Sequence, residues 1–302
     1  MSWLTQHLSI LAQEGAISFW DAEWFNENLP PFGEWINDSI NWLAVNLATF
    51  WDVIAWPIDA LLGYFTGFLQ WLPWPVVVVA VVALGWVLRN WKIGLVSGVS
   101  LLGMGFLGAD FWDLGMQTFA MIITAVVFCV IIGMPLGILA ARSDTFDGAL
   151  RPALDAMQTI HPFVYLLPAV FFFGIGTVPG VVVTVIFAMP PMARLTNLGI
   201  RQVPSDVVEA ARAFGTRDFQ LLREIQLPLA RQTILAGLNQ TLMLSLSMVV
   251  IAALIAAGGM GQAILRGVQN GNNALAGTSG IAVLLIAIIL DRLSQPAKQA
   301  EG

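Results

Sequence analysis

The residues best placed to do specific chemistry lie between Val207 and Leu229, VVEAARAFGTRDFQLLREIQLPL, the only long polar interruption in the apolar second half of the chain. That chemistry is docking rather than bond making. Asp206 is placed to cap a helix start, and Glu209 three residues on completes a capping-box pattern with an acid at the positive end of the helix dipole. Ala210 and Ala211 present only methyl groups where larger side chains would hold a partner surface away. Gly215 can take the left-handed backbone that ends a helix. Thr216 is a second cap candidate, Arg217 to Ile225 is compatible with a helix, and Pro228, which has no backbone N–H, marks the start of the next element. The segment reads as a helix-turn-helix knob on a membrane face.

Other chemistry finds little support. No GxxxxGK[ST] phosphate loop occurs, so ATP hydrolysis by that machinery belongs to a partner, and the chain itself is expected to hold no cofactor. His161 has no second histidine nearby and no cysteine or carboxylate cluster around it, which favours a packing or hydrogen-bonding role over metal binding or catalysis. The one cysteine, Cys129, sits in an apolar run and can form no intrachain disulfide.

The elements that must position the knob are membrane helices. Among 302 residues 58% are hydrophobic and 11% charged, against about a quarter charged in soluble domains. Residues 1–72 hold eight acids, while the first Lys or Arg of the chain is Arg89. Asp52, Pro57 and Asp59 interrupt the apolar stretch 41–72, which suits a helix lying in the interface better than one crossing it. Eleven of the twelve tryptophans lie at or before Trp91, as an interfacial aromatic belt requires; an aromatic cage for a quaternary ammonium group is the functional alternative. The start MSWLTQHLSI has neither a basic region nor a small-residue cleavage site, which argues against a signal peptide.

Apolar runs follow at Pro75–Leu88 and Ile93–Gly108, separated by Arg89, Asn90, Trp91 and Lys92. The run from Gly115 to Ala141 is long enough to span, and Gly133 and Gly137 within it form a small-xxx-small packing step. Residues 152–174 read as a reentrant approach ending in a short span from Phe163, broken by Gly174, Gly176, Pro179 and Gly180. Val181–Ile200 returns, Thr233–Ala257 crosses again, Gly258 to Asn273 forms an outer loop, and Gly280–Leu290 is the last span. Lys and Arg are concentrated on one side, giving about seven transmembrane helices with the N-terminus out and the C-terminus in. Every acid between Gly115 and Leu290 is assigned to a loop or its boundary, which weakens a proton-coupled carrier.

The order Glu209-Ala210-Ala211, three residues, Gly215, nine residues, Ile225-x-Leu227-Pro228 resembles the signature loop of type I ABC importer permeases, the EAA loop. The runs LDAMQTIHPFVYLLPAVFFFGIGTVPGVVVTVIFAMPP and LPLARQTILAGLNQTLMLSLSMVVIAALIAAGGMGQAILRGV are similar to the ProW-type permeases of glycine betaine/proline betaine importers, over roughly residues 70–294. The resemblance implies an all-α integral membrane fold and transport of a betaine-like compatible solute, with choline, carnitine and trimethylamine N-oxide as related cargoes. It also implies two ATP-binding subunits holding ATP and Mg, a second permease copy and an external binding protein. It implies regions at 1–72 (external or interfacial), 73–112 (two accessory helices), 113–294 (core, with the coupling loop at 201–231) and 295–302 (cytoplasmic tail). Coupling residues are then Val207, Glu209, Ala210, Ala211, Phe214, Gly215, Asp218, Leu227 and Pro228. Candidate path residues are Thr159, His161, Tyr165, Asn239, Met243 and Ser247. His161 and Pro162 depart from the small residues expected in that stretch. The alternative is an ATPase-independent, osmotically gated channel or a secondary transporter for similar solutes.

Overall fold

The computed structural model describes residues 32–294, and every regular element among them is a helix. In lipid a backbone has no water to bond, so long apolar runs fold into helices that satisfy their own N–H and C=O groups. The first 31 residues of the expected N-terminal region and the expected tail at 295–302 lie outside the described residues. The described residues fall into two units, divided between Thr49 and Phe50. In the first, α1 (Phe32–Asn46) buries none of its residues. Two of its polar side chains turn back onto its own carbonyls, Ser39 Oγ onto Trp35 and Asn46 Nδ2 onto Trp42.

α2 (Ala48–Trp71) carries Asp52, Pro57 and Asp59 inside the helix and buries only Ile58 and Leu62. Trp51 near its start stacks on Phe172 at 4.3 Å between ring centroids and meets Phe173 edge-on at 5.7 Å. Next come α3 (Trp74–Leu88) and α4 (Trp91–Phe106), both apolar and both short. The side chain of Asn90 caps α4 by accepting from the Ile93 N–H.

Among the described residues, four single helices are long and apolar enough to cross a membrane: α5 (Phe111–Arg142), α8 (Thr177–Arg201), α10 (Asp218–Ile255) and α12 (Asn273–Ser294). Between α5 and α8 lie α6 (Asp144–Thr159) and α7 (Pro162–Phe173), bent by 96° at their joint. α7 stops at Gly174, whose φ is +77°. Between α8 and α10 lies α9 (Ser205–Ala213), and between α10 and α12 lies α11 (Gly259–Gln269).

α8 is at the centre, with its most extensive packing against α10 and α5. Gly137 makes the α5 approach possible: a Cβ there would stand 2.5 Å from the Ala193 carbonyl oxygen and 2.6 Å from Thr196 Cβ. Gly133 one turn earlier faces Met189 and Met192 in the same way, so the small-xxx-small step serves helix packing as its spacing suggested. α7 joins this group by setting Leu166 and Ala169 against Val183 of α8 and Met248 of α10.

Two expectations are corrected. The glycine-rich stretch after Ala257 is not a loop throughout, because Gly259–Gln269 forms α11. Its start is held by α5: Gln117 Oε1 accepts from the Gly259 N–H and Thr118 Oγ1 from the Met260 N–H, both at 2.9 Å. Those bonds satisfy two of the donors every helix start leaves open, from 142 residues away in sequence. The acids assigned to loops also lie largely in helices, Asp144, Asp147 and Asp155 on α6 and Glu209 on α9, though none on α5, α8 or α12 between Gly115 and Leu290.

Gly137→Val should lower the thermal midpoint of the detergent-purified protein by several degrees, because its clash is with backbone that no rotamer change relieves, costing about 1–3 kcal/mol. Gly148→Ala on α6, where nothing lies within 4 Å, should leave the midpoint unchanged or raise it slightly.

Candidate coupling and translocation sites

The knob is built as a short helix, a tight turn and the start of a long helix. Pro204 holds extended backbone at φ −53° and ψ 132°, and α9 begins directly after it at Ser205. The expected capping box is not formed, since the helix has already started by the time Asp206 is reached. Asp206 instead sits in the first turn, where a negative charge complements the helix dipole. Glu209 follows in mid-helix, exposed to solvent.

α9 ends in a Schellman arrangement: the Thr216 N–H donates to Ala211 O at 3.1 Å and the Gly215 N–H to Arg212 O at 2.9 Å. Gly215 has φ +81°, the left-handed conformation expected of it. Thr216 does not cap the following helix. Arg217, extended at ψ 153°, takes that place, and its backbone N–H donates to Gln220 Oε1 at 3.3 Å.

α10 then runs without a break from Asp218 into the span. Pro228 therefore begins no new element. Leu221–Gln226 is wound as a π-helix, with the Leu227 N–H reaching five residues back to Leu222 O. A proline ring would collide with the carbonyl four residues before it in regular α-helix; the wider turn just ahead of Pro228 accommodates it.

Apolar packing and one long polar contact tie the knob to the spans. Ile200 of α8 and Leu222 and Ala230 of α10 form a small buried cluster, joined by Ile138 and Ala141 of α5 and by Leu227 and Ile234 of α10. Arg142 at the end of α5 donates to Asp218 O at 3.2 Å. Asp218 also pairs with Arg212 at 3.7 Å across the turn, both side chains exposed. Of the two alanines, Ala210 is exposed and Ala211 is buried within the chain. Phe214 is 91% exposed and Phe219 67%, and Val207 also faces outward.

The candidate path residues fall into two groups. Thr159, His161 and Tyr165 meet at the bend between α6 and α7. Thr159 Oγ1 donates to Asp155 O at 2.7 Å and Tyr165 Oη to Ala156 O at 2.9 Å. His161 caps α7, its Nδ1 accepting from the Phe163 N–H at 3.4 Å while its ring stacks on Phe163. Asn239, Met243 and Ser247 follow one another at four-residue spacing on α10. Ser247 Oγ donates to Met243 O, and Asn239 Oδ1 accepts from the Ser294 hydroxyl of α12. Among the described residues no hydrogen bond links the two groups.

One polar cluster went unread in the sequence. Asp147 of α6 is buried, with Oδ1 accepting from Asn197 Nδ2 at 2.8 Å and Oδ2 from Arg151. Arg201 of α8 donates through Nε to Asn197 Oδ1, through Nη2 to Ala140 O and pairs through Nη1 with Asp144 at 2.6 Å. Arg194 bridges to Gln158 and Asp155. The hydrogen bond and charge of Asp147 raise the pKa of Arg151 above its ordinary value. The spacing was there to be read: Asp147 and Arg151 are one helical turn apart, and Arg194, Asn197 and Arg201 share one face of α8.

Apolar spanning helices carrying a polar two-helix knob define a multi-pass membrane protein. Residues 133–295 match the family described as binding-protein-dependent transport system inner membrane component, and the chain belongs to that family. It is 47% identical over 271 residues, 90% of its length and 76% of the relative's, to the glycine betaine/proline betaine transport system permease protein ProW of Escherichia coli (strain K12). It is 43% identical over 269 residues, 89% of its length and 94% of the relative's, to the glycine betaine transport system permease protein OpuAB of Bacillus subtilis (strain 168). Among solved structures, an inward-facing MetNI methionine ABC transporter superposes with a TM-score of 0.53 at 24% identity, covering 59% of this chain and 91% of that one. That likeness is one of fold.

Asp147→Ala should destabilise the purified protein by about 1–3 kcal/mol, since it leaves the Asn197 amide donor without its acceptor in a buried site and takes away the partner of Arg151. Asp155→Ala removes an exposed pair and should cost about 1 kcal/mol or less. Thermal unfolding of both variants in one detergent checks the order.

Proposed function

We propose that this chain is the permease subunit of an ATP-driven importer for a betaine-like compatible solute. The observation that carries this is the identity of 43–47% over about nine tenths of the chain to permeases whose names specify glycine betaine. Relatives named for carnitine and for trimethylamine N-oxide, at 43% and 33% identity, keep the cargo class open among methylated amines. The functional unit is two permease copies, two ATP-binding subunits that hold ATP and Mg, and an external binding protein that selects the amine. The permease itself takes no cofactor. About seven spans, with the N-terminus outside and the C-terminus inside, put the knob on the side of the ATPase.

The knob is the coupling site. Val207, Glu209, Ala210, Phe214 and Asp218 are its presented residues, and Phe214 and Phe219 are the aromatic anchors a partner cleft would bury. Gly215 sets the turn, while Ala211 and Leu227 face inward and hold the knob to its own chain, with Pro228 at the joint into the span. Closure of two ATPase subunits would move the knob, and the cluster of Leu222, Ile200 and Ala230 would pass that movement to α8, α10 and α5. Thr159, His161, Tyr165, Asn239, Met243 and Ser247 line the path.

In liposomes holding the permease, its ATP-binding subunit and its binding protein, glycine betaine uptake should require ATP. Phe214→Ala should reduce that uptake at least tenfold, the loss of about 1.4 kcal/mol or more from one buried aromatic anchor, with the permease still folded. Gly215→Pro should abolish it. Passive flux through the permease alone, unaffected by ATP, would instead establish the channel reading. For the path, single cysteines at the six positions should react with a small permeant thiol reagent in at least one state of the cycle. The one native cysteine, Cys129, is buried and adds little background.

A further inference from the structure

A large groove among the described residues adjoins the knob at Pro228 but is lined mostly by residues of neither site. It encloses about 670 Å³ between the knob-side ends of α10 and α12, beside the α3–α4 turn. Its apolar wall is Leu235, Leu238 and Leu242 of α10 facing Leu290 and Leu293 of α12. The three α10 leucines lie at i, i+3 and i+7, one stripe along the helix axis. From Pro228 at the mouth to Leu242 the groove follows α10 for roughly 21 Å, at 1.5 Å per residue. The mouth is cationic: Arg89 and Arg231 line it, with Gln232 and Ser294 as the polar neutral groups, and among the described residues no Asp or Glu does.

Arg89 is held but not satisfied. Its Nη2 donates to Leu293 O at 3.4 Å, a long bond, and its Nε is buried without a partner among the described residues. A buried guanidinium nitrogen lacking an acceptor, beside a second arginine, calls for an anion. An apolar stripe leading from that mouth into the span calls for a hydrocarbon chain. A chain that crosses the membrane meets both in one molecule.

We propose that this groove binds one anionic phospholipid from the leaflet at the knob end of α10, its phosphate on Arg89 and Arg231 and an acyl chain along Leu235, Leu238 and Leu242. Basic pockets between transmembrane helices take acidic head groups by the same physics. The site does not depend on what the permease carries. Because Pro228 forms part of the mouth and α10 is continuous with the knob, an occupied groove would brace the helix through which the knob moves.

The full-length chain, purified in a neutral detergent and stripped of lipid, would be titrated with phosphatidylglycerol and with phosphatidylcholine and the bound lipid counted by native mass spectrometry. One phosphatidylglycerol should bind at least tenfold more tightly than phosphatidylcholine. The double variant Arg89→Ala/Arg231→Ala should lose that preference, and Arg89→Lys/Arg231→Lys should keep most of it. Leu238→Trp fills the groove without touching a charge and should evict the lipid; it carries the test should the alanine variant fail to fold. Equal retention of phosphatidylglycerol by the alanine and tryptophan variants would overturn the proposal. So would equal binding of phosphatidylcholine, or displacement of the lipid by millimolar inorganic phosphate, which would make this a free-anion pocket. Disulfide-linked dimers from Leu238→Cys in native membranes would assign the groove to a second copy of the chain instead.

Discussion

The structure depends on the close approach of α8 to α5 on one side and α10 on the other. In lipid there is no hydrophobic gain in bringing two apolar helices together, so their association rests on contact area and on how near the backbones come. Gly137 lets α5 reach the α8 backbone, and Gly237 lets α10 lie on Leu195 and the Pro191 carbonyl. α8 is in consequence the most enclosed of the four spans. Everything else is fastened to this triple: α7 through Leu166 and Ala169, α11 through its caps on α5, and the knob through Ile200 and Ala230.

The polar end of α8 explains how α6 is held. Asp147 is an expensive group to bury, and a buried ion pair contributes little net stability once desolvation is charged against it. What the cluster does supply is register. Asn197 and Arg201 meet Asp147 and Asp144 while Arg194 meets Asp155 and Gln158, so α6 is fixed to α8 at two levels along its length. The bend at His161 then starts from a fixed helix, and α7 enters the helix group at a set angle. Arg201 Nη2 also reaches Ala140 O, so the same side chain holds the end of α5.

Much of this was legible in the sequence, for identifiable reasons. Hydropathy marked the four long spans because a spanning helix must be apolar over about 20 residues. The order from Glu209 to Pro228 gave the knob, and Gly215 adopts the backbone that order required. What escaped was set by distant parts of the chain or by competing local rules. Gly258, Gly259 and Gly261 argued for a loop, and nothing nearby showed that Gln117 and Thr118 would cap a helix there. Asp206 is a good cap residue, but Pro204 starts the helix before it. The acids of α6 lie between apolar runs, where hydropathy marks only a connection, and it is the one-turn spacing of Asp147 and Arg151 that signals the helix.

The continuity of α10 bears most directly on mechanism. Had Pro228 broken the chain, the knob would hang on a flexible joint, and a pull on Phe214 would be absorbed there. The π turns at Leu221–Gln226 let the proline pass while the helix stays unbroken to Ile255. A knob displacement larger than the π turns absorb would rotate or translate α10 as a body, together with α8, its most extensive partner. The π stretch is also the weakest part of that lever, because its hydrogen bonds are less favourable than those of an α-helix. Leu221 and Leu222 are buried there, anchoring the weak turn against the helix group. Small motions of the knob can thus be taken up by rewinding one turn, whereas larger ones must be transmitted into the membrane.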